Sequence, residues 1–259
     1  MIDLQYIRGY YPPMIAENAL YQKHIIKEYV ELLALEWISR SAFAEKLIFI
    51  GGTNLRLIQG IDRFSEDLDF DCKDMTEKEF MTLTDGLIRY LQLQGLEVVA
   101  KDKENCKLQA YRRNVYFPQL LFDLQVTGHR EERFLMKIEA QDQGVVYSRE
   151  MATIQRMGFY FPVVVPPLPV LLSMKLSALI ARQKGRDFYD TIFLWQRAQP
   201  DYVFLNKRCG ITNKEQLVEQ LEMVVKETNL NIKKRDFEHL LFEPSKAEVI
   251  LHILDIVRS

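Results

Sequence analysis

Cysteine is scarce in this chain. The sequence has three, Cys72, Cys106 and Cys209, an odd number spread widely, with no CxxC pair and no histidine at metal-finger spacing. We therefore expect neither a disulfide scaffold nor a structural zinc site. Long apolar runs are also missing, since charge interrupts each one within the length that a bilayer requires, and the N-terminus does not resemble a signal peptide. These absences predict a cytoplasmic protein with reduced thiols and no membrane partner.

An excess of charge of either sign is missing as well. The chain carries 34 Lys+Arg and 36 Asp+Glu, a formal net charge of -2, so the whole molecule does not attract polyanions. A nucleic-acid partner would need a local basic patch, for which the candidates are Arg112–Arg113, Lys207–Arg208 and Lys233–Arg235. With 48% hydrophobic residues over 259 positions, the composition excludes a disordered or collagen-like chain.

The chain has no internal repeat and no linker rich in glycine, serine or proline, so a domain boundary must come from a change of pattern. The pattern changes near Pro166–Pro167. Upstream, one helix with apolar residues at three- and four-residue spacing precedes several short strands; downstream, only helical patterns remain. We predict an α+β protein, with a mixed β-sheet core over residues 1–165 and a helical domain over residues 166–259.

The individual elements follow from the same patterns. Capping-box signatures, Thr212 with Glu215 and Ser245 with Glu248, mark two helix starts. Predicted strands cover residues 47–50, 67–71, 96–100, 110–117, 120–126 and 134–140. Predicted helices cover residues 17–38, 77–94, 169–184, 187–198, 213–227, 234–242 and 245–257.

The acidic strand is the most informative segment. Asp67 and Asp69 are two positions apart, so on a strand they point the same way, roughly 6.5 to 7 Å apart, and Asp71 continues the alternation. An alternating polar set is ordinarily a solvated strand face. Aspartate is depleted in strands, however, and carboxylates on one face repel each other, which favours a cation site for Asp67 and Asp69.

Gly51 and Gly52 follow the apolar run at 47–50. They are suited to a tight turn, and without a β-carbon they also let a phosphate approach the backbone amides. The segment is neither a Walker loop nor a GxGxxG dinucleotide motif. A glycine turn followed by an Asp-x-Asp strand is the arrangement that phosphoryl or nucleotidyl transfer requires.

The two-metal scheme for such a transfer also needs a third carboxylate. Glu139 is our first choice, because the predicted strand at 134–140 places its apolar residues on one face and Glu139 on the other. Asp123, on the preceding predicted strand, is the second choice. Glu139 could equally be a surface glutamate on a polar strand face.

A basic segment follows Pro169. Lys175 and Arg182 are seven residues apart, two turns of a helix, and so share a face that can contact an anion spanning roughly 10 Å. Gly185 is expected to end this helix and Asp187 to start the next. On spacing alone, a solvated basic face with an N-cap aspartate explains the segment as well.

Several of these motifs together resemble the AbiEii/AbiGii toxin family of nucleotidyltransferases. The matching blocks run in order from about residue 20 to residue 195, and they are Gly51–Leu55, Arg63–Phe70, Lys137–Glu139 and Lys175–Asp190. The resemblance implies a DNA polymerase β-like nucleotidyltransferase core followed by a helical bundle that completes the nucleotide site. It also implies a toxin with a separately encoded antitoxin, acting in type IV-like toxin–antitoxin or phage-defence systems.

The resemblance also assigns roles. The loop of Gly51, Gly52 and Thr53 would hold the triphosphate, Asp67 and Asp69 the metal, and Lys175 and Arg182 the nucleotide phosphates, while Asp187 would complete the site. The expected catalytic residues are Asp67, Asp69, Glu139, Lys175 and Asp187; the metal ligands are Asp67, Asp69 and Glu139; and the nucleotide-binding residues are Gly51, Gly52, Thr53, Arg56, Ser65, Lys175 and Arg182.

We therefore expect an enzyme that uses an NTP with Mg²⁺, or alternatively Mn²⁺, to add a nucleoside monophosphate to an acceptor hydroxyl and release pyrophosphate. In family terms the acceptor is the 3′ end of tRNA. Transfer to a protein or small-molecule hydroxyl uses the same core chemistry and stays an alternative. A non-catalytic NTP-binding module is a further alternative, disfavoured because such a module has no reason to retain mutually repelling acids.

Overall fold

The computed structural model describes residues 2–102 and 110–258, so Cys106 lies outside the described residues. The chain divides into two compact units. Unit 1 comprises Met1–Gln59, Phe64–Gln143 and Met151–Val165. Unit 2 comprises Gly60–Arg63, Gly144–Glu150 and Pro166–Ser259. None of the points at which the chain passes from one unit to the other lies within a helix. Gly60–Arg63, a short segment of unit 2, comes just before the acidic strand in the sequence.

Unit 1 is built on a mixed β-sheet, as the sequence predicts. Among the described residues the sheet has five strands in the order β1-β2-β5-β4-β3. The pair β2 and β5 is parallel, whereas the β1–β2, β5–β4 and β4–β3 pairs are antiparallel. The strands are β1 (Leu47–Ile50), β2 (Asp67–Cys72), β3 (Val99–Ala100), β4 (Tyr111–Tyr116) and β5 (Leu135–Gln141).

The helices of unit 1 cover this sheet. The longest, α3, contacts α5, which begins at a capping box between Thr76 and Glu79. On β2 and β5, alternate residues such as Leu68, Phe70, Met136 and Ile138 are buried in the core, as the period of a half-buried strand requires. The helices are α1 (Leu4–Arg8), α2 (Pro13–Ala16), α3 (Gln22–Ser39), α4 (Gly51–Leu57), α5 (Glu77–Leu93) and α6 (Leu120–Asp123), with 3-10 turns at Ala19–Tyr21 and Ala44–Lys46.

Unit 2 is helical over its long C-terminal segment. Two of its helices pack closely at Gly185, where an added β-carbon would lie 1.9 Å from the carbonyl oxygen of Lys233. No helix that the structure describes is both long enough and apolar enough to cross a membrane. The helices are α7 (Leu168–Arg182), α8 (Gly185–Trp195), α9 (Tyr202–Cys209), α10 (Lys214–Glu227), α11 (Leu230–Arg235) and α12 (Ile253–Arg258), with 3-10 segments at Glu238–Leu240 and Pro244–His252.

Two parts of unit 1 differ from the sequence-based expectation. The segment predicted as a strand at 120–126 forms the single helical turn α6, entered through Gln119 at a φ of 58°. An unexpected hairpin, β6 (Glu150–Arg156) and β7 (Phe159–Val165), forms a separate two-stranded sheet. Its turn places Met157 and Gly158 at positive φ, 48° and 80°, the backbone geometry of tight hairpin turns.

Helix boundaries in unit 2 also differ. Gly185 does not end α7: Gln183 does, in the left-handed conformation, and Gly185 is the first residue of α8. Asn213, rather than Thr212, caps α10. The C-terminal segment predicted as one helix from Ser245 starts as a 3-10 helix and becomes α12 only at Ile253.

Candidate active site

The two aspartates of the acidic strand lie on one face of β2. Asp67 and Asp69 are partly exposed, while Leu68 between them is fully buried. In the parallel register with β5, Asp67 is opposite Lys137 and Asp69 is opposite Glu139. Since cross-strand partners share a face, the structure brings Asp67, Asp69 and Glu139 together on one surface of unit 1.

Basic residues of the same sheet face this surface. The Lys137 ammonium lies 2.8 Å from Asp67 Oδ2, and Arg112 Nε lies 2.9 Å from Glu139 Oε1. Asp71 is different: it is fully buried and accepts a 2.9 Å hydrogen bond from the backbone N–H of Gln143. Two of the exposed carboxylates, Asp67 and Glu139, are thus paired with cations of the neighbouring strands, while Asp71 is held at the far end of β2.

Gly51 lies directly against these carboxylates. It has a φ of +81°, and a β-carbon built on it would lie 2.2 Å from Asp69 Oδ2. The first turn of α4 is attached to β2 as well, because the buried Thr53 hydroxyl donates a 2.6 Å hydrogen bond to the carbonyl of Asp67. Only glycine at position 51 therefore lets the Asp69 carboxylate lie this close to the backbone at the start of α4.

This donor set fits a hard divalent cation. Carboxylate oxygens are the ligands that Mg²⁺ and Mn²⁺ prefer, and Asp67, Asp69 and Glu139 present such oxygens on one face of the sheet. Within residues 2–102 and 110–258, no three His, Cys, Asp or Glu side chains already form a metal-binding group. Lys137 would have to release Asp67 before that carboxylate could bind an ion.

Arg56 and Ser65 occupy buried positions in unit 1. Arg56 Nε donates a 2.8 Å hydrogen bond to Glu28 of α3, and the Arg56 side chain is 9% exposed. Arg156 binds the other oxygen of Glu28. Burial alone would raise the pKa of Glu28, but Arg56 and then Arg156 bring it below its usual value. Ser65 is buried two residues before β2.

Glu31, one turn after Glu28 on α3, is a second buried carboxyl beside this region. Its Oε1 atom has no hydrogen-bond partner among the described residues, and the side chain interacts electrostatically with Lys27 and with Asp67. Burial raises the pKa of Glu31 well above its usual range, and Lys27 only partly opposes this effect. Neither glutamate belongs to a recognisable motif, so sequence reasoning did not select them.

In unit 2, Lys175 of α7 is buried and bound to Asp190 of α8. The Lys175 Nζ atom lies 2.8 Å from Asp190 Oδ2. Arg63 donates to the same carboxylate from Nε and Nη2, at 2.7 Å each. Arg63 and Asp190 stand 127 positions apart in the sequence, and sequence reasoning did not include either in the site.

Arg182 and Asp187 form a separate pair in unit 2. The Arg182 guanidinium donates from Nε and Nη2 to Asp187 at 2.9 and 2.7 Å. Asp187 is fully buried, whereas the Arg182 side chain is 44% exposed. Lys175 and Arg182 do lie on one helix, but each has its own carboxylate partner.

The basic patches suggested by the sequence divide into two groups. In unit 1, Arg112 pairs with Glu139, and the buried Arg113 pairs with Asp85 and Asp102. In unit 2, the contact between Gly185 and Lys233 places the basic end of α11 beside the basic start of α8. Lys233 pairs with Asp236, and Lys234 with Glu248. The basic residues on these segments are Lys184, Arg186, Lys233, Lys234 and Arg235.

Comparison with known proteins identifies the family. The model of the nucleotidyl transferase AbiEii toxin family, from type IV toxin–antitoxin systems, matches residues 32–248. The chain belongs to this family. It is accordingly a nucleotidyltransferase of a toxin–antitoxin family, whose members generally use divalent metal ions, take an NTP as substrate and have an antitoxin partner.

Solved structures support the fold. MenT4, a nucleotidyltransferase toxin from Mycobacterium tuberculosis, superposes with a TM-score of 0.59 at 15% identity, covering 100% of both chains. JHP933 from Helicobacter pylori gives a TM-score of 0.53 at 18% identity, covering 91% of this chain and 90% of its own. A search of curated protein sequences gave no match. At these identities the structural likeness establishes the nucleotidyltransferase fold.

Proposed function

We propose that this AbiEii-family enzyme transfers a nucleoside monophosphate from an NTP to the 3′ hydroxyl of tRNA, with Mg²⁺ as the metal and Mn²⁺ as a substitute. The acceptor oxygen forms a bond to the α-phosphorus, the bond between that phosphorus and the α–β bridging oxygen breaks, and pyrophosphate leaves. One observation supports this proposal best: Asp67, Asp69 and Glu139 share one face of the sheet, with the Asp69 carboxylate packed against Gly51.

Each residue has a proposed task. Asp67 and Asp69 hold the divalent ion, which when bound neutralises charge on the phosphoryl oxygens. The backbone of Gly51 and Gly52 receives the triphosphate, since neither residue has a β-carbon beside its backbone amide. Glu139 accepts the proton of the attacking hydroxyl.

Glu139 is preferred to Asp123 as this third carboxylate because of where each lies. Glu139 stands opposite Asp69 in the β2–β5 register. Asp123 is exposed on the helical turn α6 and is not on the strand that had been predicted for it.

In unit 2, we propose that Lys175 and Arg182 bind phosphates of the nucleotide and that Asp187 orients Arg182, with which it forms two hydrogen bonds. An RNA acceptor agrees with the basic residues that α8 and α11 place side by side, because an RNA backbone requires such local positive charge on a chain of net charge -2. We propose a cytoplasmic toxin, held in check by a separately encoded antitoxin and acting in phage defence.

Incubation of the purified protein with each α-labelled NTP, Mg²⁺ and total RNA tests the proposal. Label on a discrete RNA band supports it, whereas label on protein or on a small molecule redirects it to another acceptor. Label on nothing, with all four NTPs and with Mn²⁺ in place of Mg²⁺, favours a non-catalytic module.

Asp67→Asn and Asp69→Asn should each lower transfer by on the order of 10²-fold or more, because they keep the shape but remove the charge that a metal requires. Asp123→Asn is the matched control and should be active. Near wild-type transfer by either of the first two variants would refute the metal assignment.

A further inference from the structure

Unit 2 contains a buried cluster of two cations and one anion, formed by Arg63, Lys175 and Asp190. The side chains of Arg63 and Asp190 are 1% and 0% exposed, and that of Lys175 is 8% exposed. Asp190 is the carboxylate that both cations share, through contacts of 2.7 to 2.8 Å. Burial alone would raise the pKa of Asp190, but Arg63 and then Lys175 bring it below its usual value, so the carboxylate is ionised.

The cluster therefore has one surplus positive charge. An uncompensated charge in a buried position is unfavourable unless an opposite charge completes it.

The hydrogen bonds show which of the two cations can still bind a further anion. Arg63 binds both oxygens of Asp190 in the bidentate geometry that guanidinium groups form with carboxylates. Lys175 contacts only Oδ2, which already accepts from Arg63. An ammonium has three N–H donors, so Lys175 can bind a further acceptor while it keeps this contact.

We infer that Arg63 is a positioning residue for phosphate binding: by occupying both oxygens of Asp190, it leaves Lys175 with a positive charge that a substrate phosphate completes. This inference rests on the proposed function, in which Lys175 binds the nucleotide phosphates. Without Arg63, Asp190 would pair with Lys175 alone and compete with the phosphate for the ammonium.

Calorimetric titration with pyrophosphate, and with a non-hydrolysable NTP analogue, measures this competition. Arg63→Met should bind both ligands about tenfold more weakly than the wild type, the value of one charge-assisted contact. Adding Asp190→Asn to Arg63→Met removes the competing carboxylate and should restore most of the affinity. A purely structural role predicts the opposite, a double variant at least as impaired as the single one.

Two further variants serve as controls for Arg63→Met. Lys246→Met breaks an exposed ion pair with Asp62 on the same Gly60–Arg63 segment, and should bind as the wild type does. In a Lys175→Met background, replacing Arg63 should have no additional effect, since the residue through which Arg63 acts is gone.

Should Arg63→Met fail to fold, Asp190→Asn alone decides the question. It should bind pyrophosphate at least as tightly as the wild type, because Lys175 no longer has a competing anion. Wild-type affinity in Arg63→Met, a double variant no better than the single one, or weaker binding by Asp190→Asn would each overturn the inference.

The outcome also separates this inference from the proposed function. A wild type that transfers nucleotide while Arg63→Met binds normally refutes only the role of Arg63. A wild type that binds neither pyrophosphate nor the analogue and labels no acceptor refutes both.

Discussion

Replacing Gly51 by alanine is expected to remove nucleotide transfer while leaving the chain folded. The new methyl group would lie 2.2 Å from Asp69 Oδ2 and 2.7 Å from Asp69 Cβ, at a backbone φ of +81°. The first distance is roughly 1 Å shorter than the 3.4 Å at which ordinary contact begins. Either the Asp69 carboxylate or the turn must therefore move by about that amount.

The expected size of the effect follows from this displacement. A misplacement of about 1 Å among catalytic groups reduces rates by about 10²-fold. The positive φ of an alanine adds strain of about 1 to 2 kcal/mol, which corresponds to a fall in Tm of about 2 to 4 °C per kcal/mol for a chain of this size. Gly51→Ala should thus lose nearly all activity but only a little stability.

Labelled-NTP transfer and thermal melting, measured side by side, check both parts. Gly95→Ala is the matched control, because Gly95 has a φ of +82° and an added β-carbon there meets nothing within 4 Å. It should lose the stability that the positive φ costs, and no more than Gly51→Ala loses, with activity retained. Transfer by Gly51→Ala at the wild-type rate, or an equal loss of activity in Gly95→Ala, would refute the reasoning.

Two further predictions concern stability. Gly185→Ala forces a methyl group to within 1.9 Å of the Lys233 carbonyl oxygen, so it should cost about 1 to 3 kcal/mol in denaturant unfolding, whereas Gly128→Ala, with nothing within 4 Å, should cost almost nothing. Glu28 and Glu31 should respond oppositely to pH, Glu28 below the usual glutamate pKa and Glu31 above it. The lowered pKa of Glu28 means that its ion pairs stabilise the fold above the usual glutamate pKa and lose that effect on acidification, so the destabilisation by Glu28→Gln should shrink as pH falls. The raised pKa of Glu31 means that the wild type loses stability as pH rises, so Glu31→Gln should gain on it; parallel pH curves for the two variants would contradict both assignments.

The elements that carry the acidic residues could be predicted from the sequence because their signals are local. The alternation over residues 67–71 and 134–140 identified β2 and β5, which the structure places at Asp67–Cys72 and Leu135–Gln141. The strand predicted at 120–126 was wrong, because the pattern of a short apolar segment does not distinguish a strand from a helical turn. In the β6–β7 hairpin, Pro162 lowers the strand signal of the second strand, although Gly158 marks the turn.

Partners of buried charges could not be predicted, because nothing local specifies them. Arg63 and Asp190 both lie within family-like motifs, but 127 positions separate them and only the fold pairs them. The interpretation of Lys175 changes as a result. Its helical spacing to Arg182 suggested a solvated basic face, whereas the structure gives a buried ammonium that shares its carboxylate with Arg63.

The residues that support the candidate site extend beyond the segment matched by the family model, which starts at residue 32. Glu28 lies four positions before that segment. Its carboxylate binds Arg56, which lies on α4 with Gly51, and it also binds Arg156. Phe64, three residues before Asp67, is fully buried, and its ring centroid lies 5.8 Å from that of Tyr11 and 5.2 Å from that of His24. The chain between Gly51 and Asp67 is thus held by side chains of the N-terminal segment, from Tyr11, His24 and Glu28. The proposed reaction requires Asp67 and Asp69 to be placed to within about 1 Å, so in that proposal the N-terminal segment supports catalysis without contributing a reacting group.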